Sequence, residues 1–227
     1  MILPPLRLLH WKRAWRVIPT LYPEEEIYAP IAARGDWAAI VQLERWTNGG
    51  ARQELGDRRF LREGDHLPRG KSAYHIGRPF AFPVESRFSD GRFGVFYAAR
   101  DLMTAVAERV YHTTRFLQAT SERAGMLRQR VLIANILGRM RDLRELRGKW
   151  SAVYRPDDYA ESQKLGAILW SRGSAGIAYD SVRRSGGKCL AVFSPQAVAH
   201  CRRERCLQLH WDGRRIHPIY EIREFLQ

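Results

Sequence analysis

Ser86–His112 reads SRFSDGRFGVFYAARDLMTAVAERVYH, and how this stretch folds decides how the rest of the chain is arranged. It opens on a turn that carries Arg87 and is punctuated by Gly91 and Gly94. Phe93–Ala99 is short, aromatic and apolar, as a buried strand should be. Asp101 then offers an N-cap to a helical pattern that runs to about Leu117. Leu102, Val106 and Val110 recur every four residues, with Leu117 near the same line, which predicts one buried stripe. Thr104, Glu108, Tyr111, His112 and Arg115 fall mostly on the opposite side. Glu108 therefore points toward water or toward a cleft.

Turn, strand and helix each contribute one residue with chemistry to offer. The planar fork of Arg87 suits a pyrophosphate. The face of Tyr97 suits a flat heterocycle. The carboxylate of Glu108 suits a cationic, oxocarbenium-like centre formed as a sugar–base bond breaks, or the ribose hydroxyl and attacking nucleophile. The same three residue types also occur in an ordinary strand-to-helix unit with a solvated Glu, and spacing alone leaves both readings open.

Working outward, Trp11–Ile18 alternates and ends at Pro19, which suits an edge or opening strand. Glu24–Arg34 follows Pro23 and reads as a short helix, Asp36–Glu44 as a second short element, and Asn48-Gly49-Gly50 as a turn. Ala51–Pro83 is rich in Gly, Pro, Arg and Asp and reads as a long loop or insertion, with one strand near Ala73–Ile76. On the far side, Val131–Leu137 is a second buried strand within the basic segment Arg123–Lys149, which otherwise reads as a solvated or partner-facing surface. Pro156, Asp157 and Asp158 start another helix, with Asp158 and Glu161 spaced as a capping box. Leu165, Ile168 and Leu169 form its buried face and Gly173 ends it. Gly176–Ser181 and Lys188–Phe193 read as strands flanking Arg183-Arg184-Ser185-Gly186-Gly187. Leu207–Trp211 and Arg214–Ile222 pair as a hairpin across Asp212-Gly213. The expected fold is a mixed α/β (α+β) chain with a central mixed sheet, forming one domain over residues 1–227 with a loop or insertion at 51–83.

Composition narrows the classes. A chain of 227 residues, 45% hydrophobic and 11% aromatic, supports a core and excludes global disorder. No apolar run approaches the ~20 residues of a membrane span. Arg7, His10, Lys12 and Arg13 interrupt the patch Met1–Trp15, so no signal peptide is read. Three cysteines make an odd set and suggest no disulfide framework, which points to a cytoplasmic setting. The net charge of +14 fits attraction to nucleic acid, to phosphate-rich small molecules or to an acidic partner, and decides among none of them.

Other constellations are weaker. Ser181 ends a strand and opens an Arg- and Gly-containing loop, where it could donate to phosphate or ribose with Arg183 and backbone N–H groups nearby. Taken alone, it reads better as a plain turn serine that needs no function. Cys201-x4-Cys206-x3-His210 lacks a second ligand pair and gives no zinc site. Gly186-Gly187-Lys188 lacks the remainder of a P-loop, and Ser174 lacks the spacing of a nucleophile elbow.

Taken in order, Arg87, Tyr97, Glu108 and Ser181 resemble the motif positions of the RES-domain toxins of bacterial toxin–antitoxin modules. Trp15-Arg16-Val17-Ile18-Pro19 with Tyr22-Pro23 resembles the family's start, and Gly176–Gly187 and Trp211-Asp212-Gly213 resemble later blocks. The resemblance implies an ADP-ribosyltransferase-like fold acting on NAD as substrate, by phosphorolysis with inorganic phosphate or by hydrolysis, without a metal. It implies Arg87 on the diphosphate, Tyr97 against the nicotinamide end, Glu108 at the ribosyl cation, and Ser181 orienting phosphate or ribose. Arg183 and Arg16 are further anion contacts. The implied partner is an Xre-like antitoxin in a hetero-oligomeric complex, with nucleic acid met only through that antitoxin and no membrane involved. Two other readings stand beside it: a protein ADP-ribosyltransferase, and a non-enzymatic basic module that binds nucleic acid or protein.

Overall fold

The computed structural model describes residues 3–20, 60–68 and 72–223. Two long strands carry the architecture. β1 (Leu6–Pro19) runs antiparallel to an 18-residue strand, Gly125–Asp142, in register from Leu6↔Arg141 to Pro19↔Gln129 with a bulge between Trp11 and Ala14. In chain order the strands after β1 are β2 (Glu85–Ser86), β3 (Ser89–Asp90), β4 (Phe96–Ala99), β5 (Gly125–Asp142), β6 (Gly176–Asp180), β7 (Lys188–Val192), β8 (Val198–Trp211) and β9 (Ile216–Ile222). Seven of them form one sheet in the order β1-β4-β7-β6-β5-β8-β9, while β2 and β3 pair with each other. All pairings in the large sheet are antiparallel except β5 with β6, joined at Arg141↔Ile177 and Asp142↔Ala178, so the sheet is mixed.

β1 opens the sheet, one of the two roles its pattern suggests, but it is not an edge. It pairs with β5 along its length and with β4 at Trp15↔Ala99, so β1, β4, β7, β6 and β5 close a ring. The terminal Pro19 sits at the last residue of the strand, where a missing N–H costs little.

Within Arg123–Lys149 the expected strand is longer than Val131–Leu137 and is the sheet's central strand, β5, while Arg123, Arg128, Arg139, Arg147 and Lys149 are exposed, as a solvated surface requires. Leu132, Ala134, Ile136 and Met140 enter one core cluster with Trp11, Phe96, Leu190 and Val192. Val131 enters another with Leu207, Leu209 and Trp211. A strand covered on both faces reads as a continuous apolar run, and that is why only Val131–Leu137 stood out. Its flanks are longer than expected, and even Gln129 and Arg130 are buried.

Where a strand was expected at Ala73–Ile76, helix α1 (Ala73–Ala81) forms instead. Ile76, Gly77, Phe80 and Ala81 are its buried residues, spaced for one helical face. Gly77 and Pro79 lower its intrinsic propensity, and packing overrides them. Helix α2 (Leu102–Ala119) follows Asp101, whose side chain accepts from the Thr104 N–H at 2.9 Å as the sequence predicts. Helix α3 (Ala160–Ser171) ends before Gly173, which takes the left-handed φ of +74°. The expected capping box at its start is absent: Tyr159 is the N-cap, and the Asp158 carboxylate accepts from the Ala160 N–H at 3.0 Å and from Arg155 at 2.8 Å. The β8–β9 hairpin turns at Asp212-Gly213 as read, with Gly213 at φ +96°.

The expectations at Glu24–Arg34, Asp36–Glu44, Asn48-Gly49-Gly50 and Tyr22-Pro23 lie outside the described residues. Among the described residues, no helix is long and apolar enough to cross a membrane.

Candidate active site

The cleft opens where the sheet's ladder fails. β1 and β4 share the single pair Trp15↔Ala99; beyond it the ladder stops, and the Arg16 guanidinium spans the gap by donating to the Tyr97 carbonyl at 2.8 Å. A cavity of about 500 Å³ occupies this splay, walled by β1, β4, α1, α2 and the turn before β2. Arg87, Tyr97, Glu108, Arg16, Tyr159 and Cys189 all line it.

Glu108 reaches the cavity because α2 is covered on that side. The loop 181–187 lies across the helix's first turn, so close that a methyl on Gly187 would sit 2.7 Å from the Thr104 hydroxyl. Arg184 fastens the loop there, donating to Asp101 at 3.2 Å and to Thr104 at 3.1 Å. One helical turn after Thr104, this docking sets Ser181 against Glu108. The Ser181 hydroxyl donates to Glu108 Oε1 at 2.6 Å and accepts from the backbone N–H groups of Arg183 at 3.1 Å and Arg184 at 3.0 Å. A serine hydroxyl has one proton and two lone pairs, so its capacity is filled. The Cys189 thiol lies 3.9 Å from the same carboxylate oxygen. Burial, then the negative field of Glu108, pushes that thiol well above its ordinary range, so it remains a protonated donor. Among the described residues no donor reaches Oε2.

Arg87 is held from behind. Its Nη1 donates to the Val153 carbonyl at 3.1 Å and the Arg155 carbonyl at 2.9 Å, and its Nη2 to the Pro156 carbonyl at 3.1 Å. Only 7% of the residue is exposed. Three of five donors are thereby committed, leaving Nε–H and one Nη2–H. The turn bearing Arg87 is pressed on α3 at Gly166, where a Cβ would fall 1.9 Å from the Phe88 carbonyl oxygen.

Tyr97 presents its ring and hides its hydroxyl, which donates to Ser86 Oγ at 3.0 Å and accepts from the Phe88 N–H at 3.0 Å. Burial pushes this phenol up to about 12, with the hydrogen bonds and Arg87 opposing. Arg183 packs its guanidinium 3.2 Å from the Tyr111 ring centre, donates to the Pro156 carbonyl and approaches Asp157 at 3.5 Å. The structure thus gathers Arg87, Tyr97 and Glu108 around one cavity, attaches Ser181 to Glu108, and sets Arg183 on the strap 153–159.

Two histidines also line the cavity. Burial, then Arg130 and Arg16, pulls His75 down to about 4, and its Nδ1 is buried with no hydrogen-bond partner among the described residues. His112 meets solvent over more than a third of its surface. The wall behind it and then Arg183, Arg109, Arg87 and Arg115 nevertheless pull it to about 4. Both imidazoles are neutral at pH 7. Sequence reasoning missed His75, Tyr159 and Cys189 as cavity residues. His75 was hidden by reading α1 as loop and strand, Cys189 is one apolar-run residue among several, and Tyr159 stands one residue beyond the helix-start signal at Pro156–Asp158.

No group of three or more His, Cys, Asp or Glu side chains among the described residues is placed to hold a metal. The cysteines of the Cys201–His210 stretch lie on β8, Cys201 buried and Cys206 half-buried.

The family model of the RES domain matches residues 65–212, a span that contains Arg87, Tyr97, Glu108 and Ser181. Over 208 residues the chain is 26% identical to the uncharacterized protein y4oC of Sinorhizobium fredii (strain NBRC 101917 / NGR234), covering 91% of this chain and 86% of that protein. Among solved structures, the M. tuberculosis MbcT–MbcA toxin–antitoxin complex aligns with 93% of this chain and 87% of that one, at 12% identity and a TM-score of 0.42.

Proposed function

The chain belongs to the RES-domain family, and from that premise we propose that it cleaves the nicotinamide–ribose bond of NAD as the toxin of a toxin–antitoxin module. The observation that carries this reading is one cavity on which Arg87, Tyr97 and Glu108 converge, with one oxygen of Glu108 anchored by Ser181 and, among the described residues, no donor at the other. At about 500 Å³ the cavity falls within the range of small-molecule and cofactor sites.

In this reading Arg87 offers its remaining Nε–H and Nη2–H to the diphosphate, while the three carbonyls fix the angle of the fork. The Tyr97 ring faces the nicotinamide, its hydroxyl being engaged behind it. As the C–N bond breaks, nicotinamide leaves with the bonding pair and positive charge develops on the ribose. Glu108 stabilises that charge through Oε2. Such electrostatic stabilisation is effective because the carboxylate is oriented before the reaction. Ser181 supplies the orientation, so its part is to hold Glu108 rather than to touch phosphate or ribose directly. Arg16 adds positive potential to the wall, and Arg183, outside the lining, adds to it from behind the strap 153–159. Phosphate or water then adds at the vacated carbon, giving ADP-ribose 1″-phosphate or ADP-ribose; the arginine-rich walls favour the phosphate dianion.

The fold is read as ADP-ribosyltransferase-like, and the partner as an Xre-like antitoxin that makes the contact with DNA. The net charge of +14 supports an acidic partner surface. The protein is read as acting in the cytoplasm.

The test is NAD consumption by purified protein, with products resolved by chromatography. Wild type should release nicotinamide, and Glu108→Gln should lose at least about 100-fold in kcat, the scale of removing a transition-state electrostatic contact. Equal turnover by the two proteins would defeat the assignment. Label from NAD found on a protein would instead establish ADP-ribosyl transfer.

A further inference from the structure

Tyr159 was invisible as a site residue in the sequence, yet it lines the cavity with its backbone fixed at a helix start and its ring against a buried guanidinium. Its backbone carbonyl, at the N-cap of α3, accepts from the Gln163 N–H at 2.8 Å and from the Ser162 hydroxyl at 3.0 Å. Its ring lies under the Arg87 guanidinium, 4.6 Å from Cζ to the ring centre. Its hydroxyl is 3.5 Å from Arg183 Nη2. The strap leading to it is fastened twice over, by the three bonds of Arg87 to Val153, Arg155 and Pro156 and by Arg183 at Pro156. A buried arginine, a half-buried one and a helix start thus fix one aromatic ring at the edge of a nucleotide-sized hollow. Core packing alone does not require this: the ring lines the cavity, and it belongs to none of the three apolar core clusters.

From this we propose that Tyr159 is a substrate-binding residue, a rigid stacking platform for one heteroaromatic ring of the dinucleotide. The inference rests on the NAD reading above and extends it. A ring already immobilised loses little conformational entropy on binding, and stacking tolerates either base because each has a π-face. Arg87 covers one face of Tyr159, so the ligand ring takes the other. The same guanidinium then touches both the platform and the diphosphate, which couples the two contacts.

The test is calorimetric binding in the Glu108→Gln background, where NAD is consumed at least about 100-fold more slowly, using NAD, AMP and nicotinamide mononucleotide as probes. Tyr159→Ala should weaken NAD binding by about 10-fold or more, the scale of losing one base–aromatic stack. Tyr159→Phe should bind within about 2-fold of the parent, since it keeps the ring and loses only the hydroxyl. The fragment whose affinity falls with NAD identifies the ring: AMP for adenine, nicotinamide mononucleotide for nicotinamide. Unchanged NAD affinity in Tyr159→Ala overturns the platform and leaves the NAD reading intact. Absence of NAD binding by the parent overturns both. A fall of the same size in Tyr159→Phe assigns the effect to the hydroxyl and refutes stacking. Amide exchange of residues 153–160 serves as the structural control, and increased exchange in Tyr159→Ala alongside weaker binding would reassign the residue to holding the strap.

Discussion

Replacing Ser181 by alanine separates two roles that the hydroxyl is able to play. The substitution removes one donor, aimed at Glu108 Oε1 at 2.6 Å, and one acceptor shared by the N–H groups of Arg183 and Arg184. A hydrogen bond to a charged group contributes about 1.5–3 kcal/mol. If that contribution serves to aim Glu108 at the transition state, kcat falls by about 10- to 100-fold, one decade for each 1.36 kcal/mol. KM for NAD should stay within about 2-fold, because a hydroxyl with its proton and both lone pairs occupied has none to give the substrate. Losing the acceptor also loosens the loop, so Tm should fall by a few degrees, about 2–4 °C per kcal/mol for a chain of this size. Assays are run well below that Tm, with NAD loss followed at saturating and subsaturating concentrations. A double variant with Glu108→Gln should be no slower than Glu108→Gln alone, since the serine acts through the carboxylate. The reasoning is refuted if Ser181→Ala raises KM tenfold and leaves kcat untouched, which is the signature of a lost substrate contact.

Other outcomes follow from the same geometry. Arg87→Ala strands the Val153, Arg155 and Pro156 carbonyls, so it should destabilise the fold by about 2–4 kcal/mol in urea unfolding as well as abolish turnover. An inactive Arg87→Ala protein with wild-type stability would contradict the anchoring described for it. Gly166→Ala places a methyl 1.9 Å from the Phe88 carbonyl oxygen, and should cost at least about 1–3 kcal/mol by forcing α3 away from the Arg87 turn. Wild-type Tm in that variant would show the helix contact to be looser than described. His75 has its folded pKa lowered from 6.5 to about 4, so the unfolded chain binds the extra proton between these values. Stability carried by the neutral imidazole is therefore complete above pH 6.5 and drains away as pH falls toward 4, by up to about 3 kcal/mol. His75→Phe should flatten that part of the urea-midpoint profile against pH, and an unchanged slope would locate the acid sensitivity elsewhere.

Much of this was legible in the chain because it was local. The N-cap at Asp101, the strand-to-helix switch after Ala99, Gly173 at the end of α3 and the Asp212-Gly213 hairpin are each specified by neighbours in sequence, and each stands where it was read. The side of α2 bearing Glu108 was also legible, since it follows from 3.6 residues per turn. What covers that side was not. It is a loop some eighty residues later, docked through Gly187 on Thr104, and nothing local to either announces the other. The same holds for β1, which looks like an edge strand until β5 and β4 flank it, and for α1, where a buried face outweighs Gly77 and Pro79. Arg87 was read as a phosphate clamp because a turn arginine before an aromatic strand suits one. Its three carbonyl partners lie 66 to 69 residues away and were not inferable.

The placement of the cleft has a cause in backbone accounting. An uninterrupted β1–β4 ladder would fill the wall of the five-stranded ring, leaving no concavity at this point. Instead the ladder makes one pair, at Trp15↔Ala99, and the next polar group on β4, the Tyr97 carbonyl, is satisfied by the side chain of Arg16. A buried carbonyl needs a donor, and here a guanidinium replaces the missing strand N–H. This exchange keeps β4 fixed while it opens room for a ligand beside Tyr97. It also brings positive charge to the cavity rim without a separate loop to carry it. The opening in the sheet and the anion-favouring potential of the site thus arise from the same substitution of side chain for backbone.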